Sequence, residues 1–260
     1  MPSNNDLSTE ELLISLSDNI LQITLNRPNK KNALSYSMYE TLTQLLKHAE
    51  QNPDIFVVVL TGSGDYFTAG NDMASFRSGV NLAYNEKPSF HFMNALATFK
   101  KPIIAAVNGD SIGIGVTMLM HFDLVYATQS SSFKMPFLSM GFVPEFASTL
   151  LMSASLGHMK AAQLLMLGER FSSEEAANLG MINQVLPLEG FMDSVLERAS
   201  NIASKPTAAV QTTKQLMKKR SNEKVLEVID EEAREFSKCL QTPETQTIVA
   251  SFLNRKKSSH

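Results

Sequence analysis

Apolar and polar positions alternate at two periods along this chain, and the period changes near its last quarter. Ile20–Asn26 alternates apolar and polar residues and Leu12–Leu16 is apolar except at Ser15; with Ser17, Asp18 and Asn19 between them they read as two strands joined by a tight turn. Ile55–Leu60 and Ile103–Val107 are short, mostly continuous apolar runs, the pattern of strands buried on both faces. Leu124–Ala127 and Met181–Leu186 read as further strands. Between them, Asn32–His48 carries Leu34, Leu42, Leu45 and Leu46 at helical spacing, Ser89–Phe99 reads as a helix, and another helix opens near Gly113. Thr61–Asp65 reads as a loop. From Phe191 onward only helices are predicted, over Met192–Ala203, Ala208–Lys218, Lys224–Cys239 and Thr242–Arg255, with breaks at Pro206 and Pro243. Strand–helix alternation followed by helices predicts an α/β core, 1–190, with a helical region, 191–260, in one domain spanning 1–260. No linker, repeat or low-complexity stretch divides it.

Composition narrows the class without choosing a function. The chain has 260 residues, 43% hydrophobic and 19% charged, enough for a sizeable core. A formal net charge of −3 gives no general attraction to nucleic acid or anionic membrane. No apolar run approaches the roughly 20 residues of a membrane span. Cys239 is the only cysteine, which excludes an intrachain disulfide, and the five histidines form no i,i+4 pair, so a metal site is not expected. The polar, acidic start lacks the features of a secretion or transit signal. The end, Lys256 to His260, only approaches a peroxisomal signal, so a cytoplasmic location is expected.

The chemistry concentrates between Pro102 and Glu145. A buried strand ends in a glycine turn, Gly109 to Gly115, and a helix opens. The first amides of a helix lack intrahelical partners and carry the positive end of its dipole, so they suit an anion, including the oxyanion of an enolising carbonyl compound. Glu145 follows among Phe137, Phe142, Val143 and Phe146, an apolar setting that raises a carboxyl pKa, while a nearby helix start lowers it. Gly109-Asp-Ser111-Ile-Gly113 also fits the Gly-x-Ser-x-Gly pattern of serine hydrolases, with Asp123 and His158 downstream in the hydrolase order.

Leu25-Asn-Arg-Pro-Asn-Lys-Lys-Asn-Ala-Leu34, Asp65-Tyr-Phe-Thr-Ala-Gly-Asn-Asp72 and Pro102–Gly115, in that order and spacing, resemble the crotonase (enoyl-CoA hydratase/isomerase) superfamily. The resemblance implies a spiral of ββα units, a homotrimer or dimer of trimers assembled through the helical region, and an acyl-CoA thioester as partner. CoA would then arrive as part of the substrate, and no cofactor is needed. The two oxyanion donors fall on the backbone amides of Asn71 and Ile114, where the family usually has Ala or Gly. Lys31, Ala33, Ala69, Asp72, Met73 and Phe137 fall on the substrate-binding positions, with Asp72 equally suited to cap a helix. Hydratases of the family carry two glutamates at positions that here hold Thr117 and Phe137. Threonine has no titratable proton in this range and phenylalanine has none at all, so ordinary hydration is not expected. Glu145, in Gly141-Phe-Val-Pro-Glu145-Phe-Ala-Ser-Thr149, falls instead where Δ3,Δ2-enoyl-CoA isomerases are similar to this chain and keep their base. The expectation is an isomerase in which Glu145 is the base. The alternatives are a crotonase-fold module that binds acyl-CoA without turnover, another enolate-forming reaction such as hydration, and a hydrolase using Ser111.

Overall fold

Backbone pairing sorts the strands of the computed structural model, which describes residues 8–78 and 81–257, into two sheets. In chain order they are β1 (Leu12–Ser17), β2 (Ile20–Leu25), β3 (Val57–Gly62), β4 (Tyr66–Thr68), β5 (Ile103–Val107), β6 (Asp110–Ile112), β7 (Leu124–Thr128), β8 (Ser132–Lys134), β9 (Phe171–Ser172) and β10 (Gln184–Leu186). The larger sheet runs β1-β2-β3-β5-β7-β10, antiparallel only at the β1–β2 hairpin. The smaller runs β4-β6-β8-β9, parallel except at β8–β9. The helices are α1 (Tyr36–Gln51), α2 (Met73–Ser78), α3 (Pro88–Thr98), α4 (Ile114–Thr117), α5 (Ser148–Leu156), α6 (His158–Ala162), α7 (Ser173–Asn178), α8 (Phe191–Ala203), α9 (Thr207–Lys218), α10 (Asn222–Leu240) and α11 (Pro243–Lys257). This mixed α/β architecture bears out the expected class, and no helix among the described residues is long and apolar enough to cross a membrane.

The continuous apolar runs explain why β3 and β5 sit centrally. Val57 and Val59 of β3, with Ile104 and Ala106 of β5, face a core completed by Phe191, Val195 and Ala199 of α8. Val58 and Leu60, with Ile103, Ala105 and Val107, face the larger core shared with α1 and α3. Strands covered on both faces gain nothing from alternation, so their sequence reads as a run.

Several boundaries differ from the periodic pattern, each for a local reason. The first long helix begins at Tyr36, not Asn32, because Lys31 and Asn32 are left-handed (φ 54 and 53) and Ser35 caps the helix by accepting from Met38 N at 3.2 Å. The helix near Gly113 is the single turn α4, continued as a 3-10 turn at Met118–His121. β3 extends into the expected loop as far as Gly62, and the last strand is confined to Gln184–Leu186. The smaller sheet and α5 to α7 have no counterpart in the periodic reading. Strands of two or three residues are too short to show a period.

Candidate active site

Asn32 ties the first motif to the second. Its fully buried side chain accepts from Arg27 N at 2.9 Å and donates to Ser63 O and Tyr66 O at 2.9 and 2.6 Å. Thr68 Oγ1 donates to Asn32 O at 2.7 Å and accepts from Gly70 N at 3.1 Å. Ala69 N reaches Lys31 O, and a parallel bridge joins Leu34 to Asn71. Arg27 closes the cluster, donating to Ala33 O at 2.7 Å and pairing with Asp72 at 3.0 Å, while Asp72 Oδ1 accepts from Ala74 N in the first turn of α2. Lys31, Ala33, Ala69, Asp72 and Met73 are thereby gathered at one place, with the Lys31 ammonium 4.9 Å from the centre of the Tyr66 ring.

The third motif meets this cluster at glycine. Gly70 has φ 83, and a Cβ added there would lie 2.6 Å from Ile112 O and 3.9 Å from Gly113 Cα. Only a residue without a side chain lets the two turns approach this closely. The bonds that fix them use neighbouring amides: Asp72 N to Leu34 O at 2.9 Å, Gly113 N to Lys134 O at 2.8 Å, and Val116 N to Gly113 O at 2.9 Å. Among the described residues, the Asn71 and Ile114 amides donate to no acceptor in the chain. Phe137, buried, turns its ring toward Gly113, and Thr117 is fully buried with no partner for its hydroxyl among the described residues.

Glu145 faces these turns. Its carboxylate is 3% exposed and accepts from Asn71 Nδ2 at 2.9 Å, while Asn71 Oδ1 accepts from the hydroxyl of buried Tyr39 at 2.5 Å. Burial pushes the Glu145 pKa up to about 7. The Asn71 amide and the Lys87 ammonium pull it down, and the Glu232 carboxylate adds to the rise. The opposing helix-start effect expected at Glu145 goes elsewhere. α5 begins at Ser148, and Thr149 donates its amide (3.0 Å) and hydroxyl (2.6 Å) to Glu232 Oε1. Glu232 is itself pushed up to about 7, chiefly by burial. The tyrosines beside the site remain protonated: burial, reinforced by Glu145, raises Tyr36 to about 12 and Tyr39 well above its usual value.

The backbone after Glu145 is strained. Phe146 and Ala147 both have positive φ, 71 and 54, which costs non-glycine residues of order 1–3 kcal/mol each. His121 holds this turn. Its Nε2 donates to Phe146 O at 2.8 Å and its ring stacks on Phe146 at 4.0 Å. Burial keeps this imidazole neutral, with its pKa lowered to about 3. Phe142 stacks on Phe236 of α10 at 4.5 Å, completing an apolar wall.

The hydrolase set does not assemble. Ser111 is fully buried and its hydroxyl has no partner among the described residues, Asp123 takes Ile103 N and Lys214 Nζ, and His158 is exposed at the start of α6. Of the methionines, Met118, Met135 and Met152 fill the core. Glu232, His121 and the side chain of Asn71 are what sequence reasoning missed. Glu232 alone left a usable signal, lying on the apolar stripe Val225, Val228, Ile229, Ala233 and Phe236 that α10 buries.

The chain and its fold are matched by known proteins. The model of the "Enoyl-CoA hydratase/isomerase" family matches residues 15–260. The chain therefore belongs to the enoyl-CoA hydratase/isomerase family, the crotonase superfamily that its motifs resemble. It is 34% identical over 250 residues to "Enoyl-CoA delta isomerase 2" of Rattus norvegicus, covering 94% of this chain and 64% of that protein. It is 32% identical to "Enoyl-CoA delta isomerase 3, peroxisomal" of Mus musculus, covering 95% of this chain and 80% of that one. The solved structure of Pseudomonas aeruginosa OdaA superposes with a TM-score of 0.91 at 38% identity, covering 94% of this chain and 99% of that chain. The chain thus spans just under two thirds, 64%, of the length of the rat relative.

Proposed function

We propose that this chain is a Δ3,Δ2-enoyl-CoA isomerase working with one base. The observation that carries the reading is Glu145: a buried carboxyl with its pKa near 7, hydrogen-bonded to Asn71, while Thr117 and Phe137 occupy the positions where related hydratases keep their carboxyls. In this reading the thioester oxygen accepts from the Asn71 and Ile114 amides. Glu145 takes the proton from C2 as the C3–C4 double bond becomes a delocalised dienolate. The same carboxyl returns that proton to C4, the oxyanion collapses, and a C2–C3 double bond remains. One carboxyl suffices because C2 and C4 belong to one planar dienolate and are reached from the same side of it, and a base with pKa near the working pH both accepts and releases a proton readily. Lys31, Ala33, Ala69, Asp72, Met73 and Phe137 line the path of the CoA arm and thioester. Assembly into a homotrimer or dimer of trimers belongs to the same reading; exposed Leu216 and Met217 on α9 support it.

The test is the ratio of two activities of the native protein. Conversion of a 3-enoyl-CoA to its 2-enoyl isomer is expected to exceed water addition to the 2-enoyl-CoA by roughly a hundredfold or more, the contribution of a missing second acid–base group. Comparable rates would make the protein a hydratase. Acyl-CoA binding with neither activity would make it a binding module.

Asn71→Ala separates the side chain from the backbone donor, because it removes the amide while leaving the main-chain N–H. The turnover number is expected to fall roughly 10- to 100-fold, the worth of a hydrogen bond to a charged group. The acid limb of the rate profile is expected to move to higher pH, since the lost bond favours the ionised form. An unmoved profile would remove Asn71 from the site.

A further inference from the structure

Among the described residues three lysines are buried, and two of them have ordinary structural partners. Lys101 Nζ donates to Asn52 O and Ile55 O, both at 2.7 Å. Lys214 Nζ donates to Lys101 O and pairs with Asp123, both at 2.7 Å. Lys87 is different. It is 5% exposed, yet its ammonium has one partner among the described residues, Ser237 Oγ at 3.3 Å, and no carboxylate within ion-pair distance. An ammonium carries three donors, so two are unused in a place where desolvation is costly. Packing alone would be served at lower cost by an apolar residue of the same length.

The position of Lys87 says what could use those donors. It stands at the start of α3, before Pro88, and the carboxylate whose field it feels is Glu145. Its partner Ser237 lies on α10, the helix that also carries Phe236 of the wall and Glu232. Ser237 also lines an open cleft of about 490 Å³ with Tyr84 and Arg234. The unfilled ammonium therefore lies within electrostatic reach of Glu145 and, through its bond to Ser237, next to the wall of that open cleft. A compact ammonium recognises a carboxylate as a point charge without demanding a fixed approach.

We propose that Lys87, with Ser237, recognises a carboxylate at the far end of the substrate's acyl chain, so that the site selects ω-carboxyacyl thioesters over simple fatty acyl thioesters. This rests on the acyl-thioester reading above and names the substrate class of that site.

Saturated acyl-CoAs ending in a carboxylate or in a methyl group, matched over a series of chain lengths, are titrated calorimetrically into the native protein and Lys87→Met. The native protein is expected to bind the carboxylate form about tenfold or more tightly at one chain length, the scale of a hydrogen bond to a charged group. Lys87→Met is expected to bring that ratio to one or below. A native protein without preference at any length overturns the proposal. So does a preference that survives the substitution, or equal weakening of both ligands at an unchanged ratio, which would leave Lys87 a structural residue. Should Lys87→Met not fold, Lys87→Gln gives the same comparison with donors but no charge. Saturated chains cannot isomerise, so a Lys87-dependent preference without turnover of 3-enoyl chains would uphold this proposal while overturning the isomerase reading.

Discussion

Glu145→Gln is expected to lower 3-enoyl-CoA isomerisation by roughly a thousandfold, within the range a positioned acid–base group contributes, while acyl-CoA binding persists. The substitution is nearly isosteric. Its remaining carbonyl oxygen can still accept from Asn71 Nδ2, now at 2.9 Å from the carboxylate, so the Tyr39–Asn71 arrangement and the strained turn at Phe146 and Ala147 stay in place. What disappears is the ability to take a proton from C2. Steady-state rates and acyl-CoA titration of the same preparation decide between two readings. A large fall in turnover with retained affinity assigns the proton to Glu145. Activity that survives would pass it to Glu232, the other carboxyl at this end of the molecule whose pKa stands near 7. Glu232 is the weaker candidate, because one of its oxygens is occupied by the Thr149 amide and hydroxyl. The acid limb of the native rate profile supplies an independent check. Ionised Glu145 is the active form, so the rate rises with pH through about 7 and then levels.

How much of this site was legible in the sequence depends on the distance over which each residue acts. The strands around Val57–Gly62 and Ile103–Val107 were legible because burial on both faces leaves a run of apolar residues that needs no context. The glycine turns were legible as turns, and their meeting at Gly70 and Gly113 followed from the resemblance, not from periodicity. Asn71 was legible only for its backbone. Nothing in its local sequence reveals a side chain bridging Tyr39, some thirty residues earlier, and Glu145, more than seventy later. The sign of the Glu145 shift was open for the same reason. It turned on whether the amides opening α5 serve Glu145 or a carboxyl brought in by α10, a contact between segments over eighty residues apart. Helix α10 itself was plain from its period, and Glu232 on its buried stripe was the one clue available before the tertiary arrangement. His121 left no clue, because a lone histidine among apolar residues reads as core until its carbonyl partner is known.

Glu145→Gln should also make the protein more stable above neutral pH, and the effect should vanish in acid. In the unfolded chain the carboxyl titrates near 4.5, and in the folded chain near 7, mainly because burial disfavours its charge. Below about 4.5 both states hold the proton and the carboxyl costs nothing. As the pH rises from 4.5 to 7 the unfolded chain ionises freely while the folded chain resists, so stability is lost across that window and the loss saturates above it. A difference of this size corresponds to about 3 kcal/mol at pH 8, which glutamine, having no charge to bury, recovers. Urea unfolding of both proteins at pH 5, 6, 7 and 8 is expected to show a gap that widens with pH and levels off. A constant gap would mean that the carboxyl is solvated in the folded chain. Glu232→Gln should behave similarly, since burial raises its carboxyl over the same range, from 4.5 to about 7. The double variant should gain less than the sum, since each carboxylate raises the cost of its neighbour and removing one relieves the other. A buried base that the fold tolerates only at a cost is what proton transfer at neutral pH requires. The same burial that destabilises Glu145 as an anion is what makes it basic enough to take a proton from carbon.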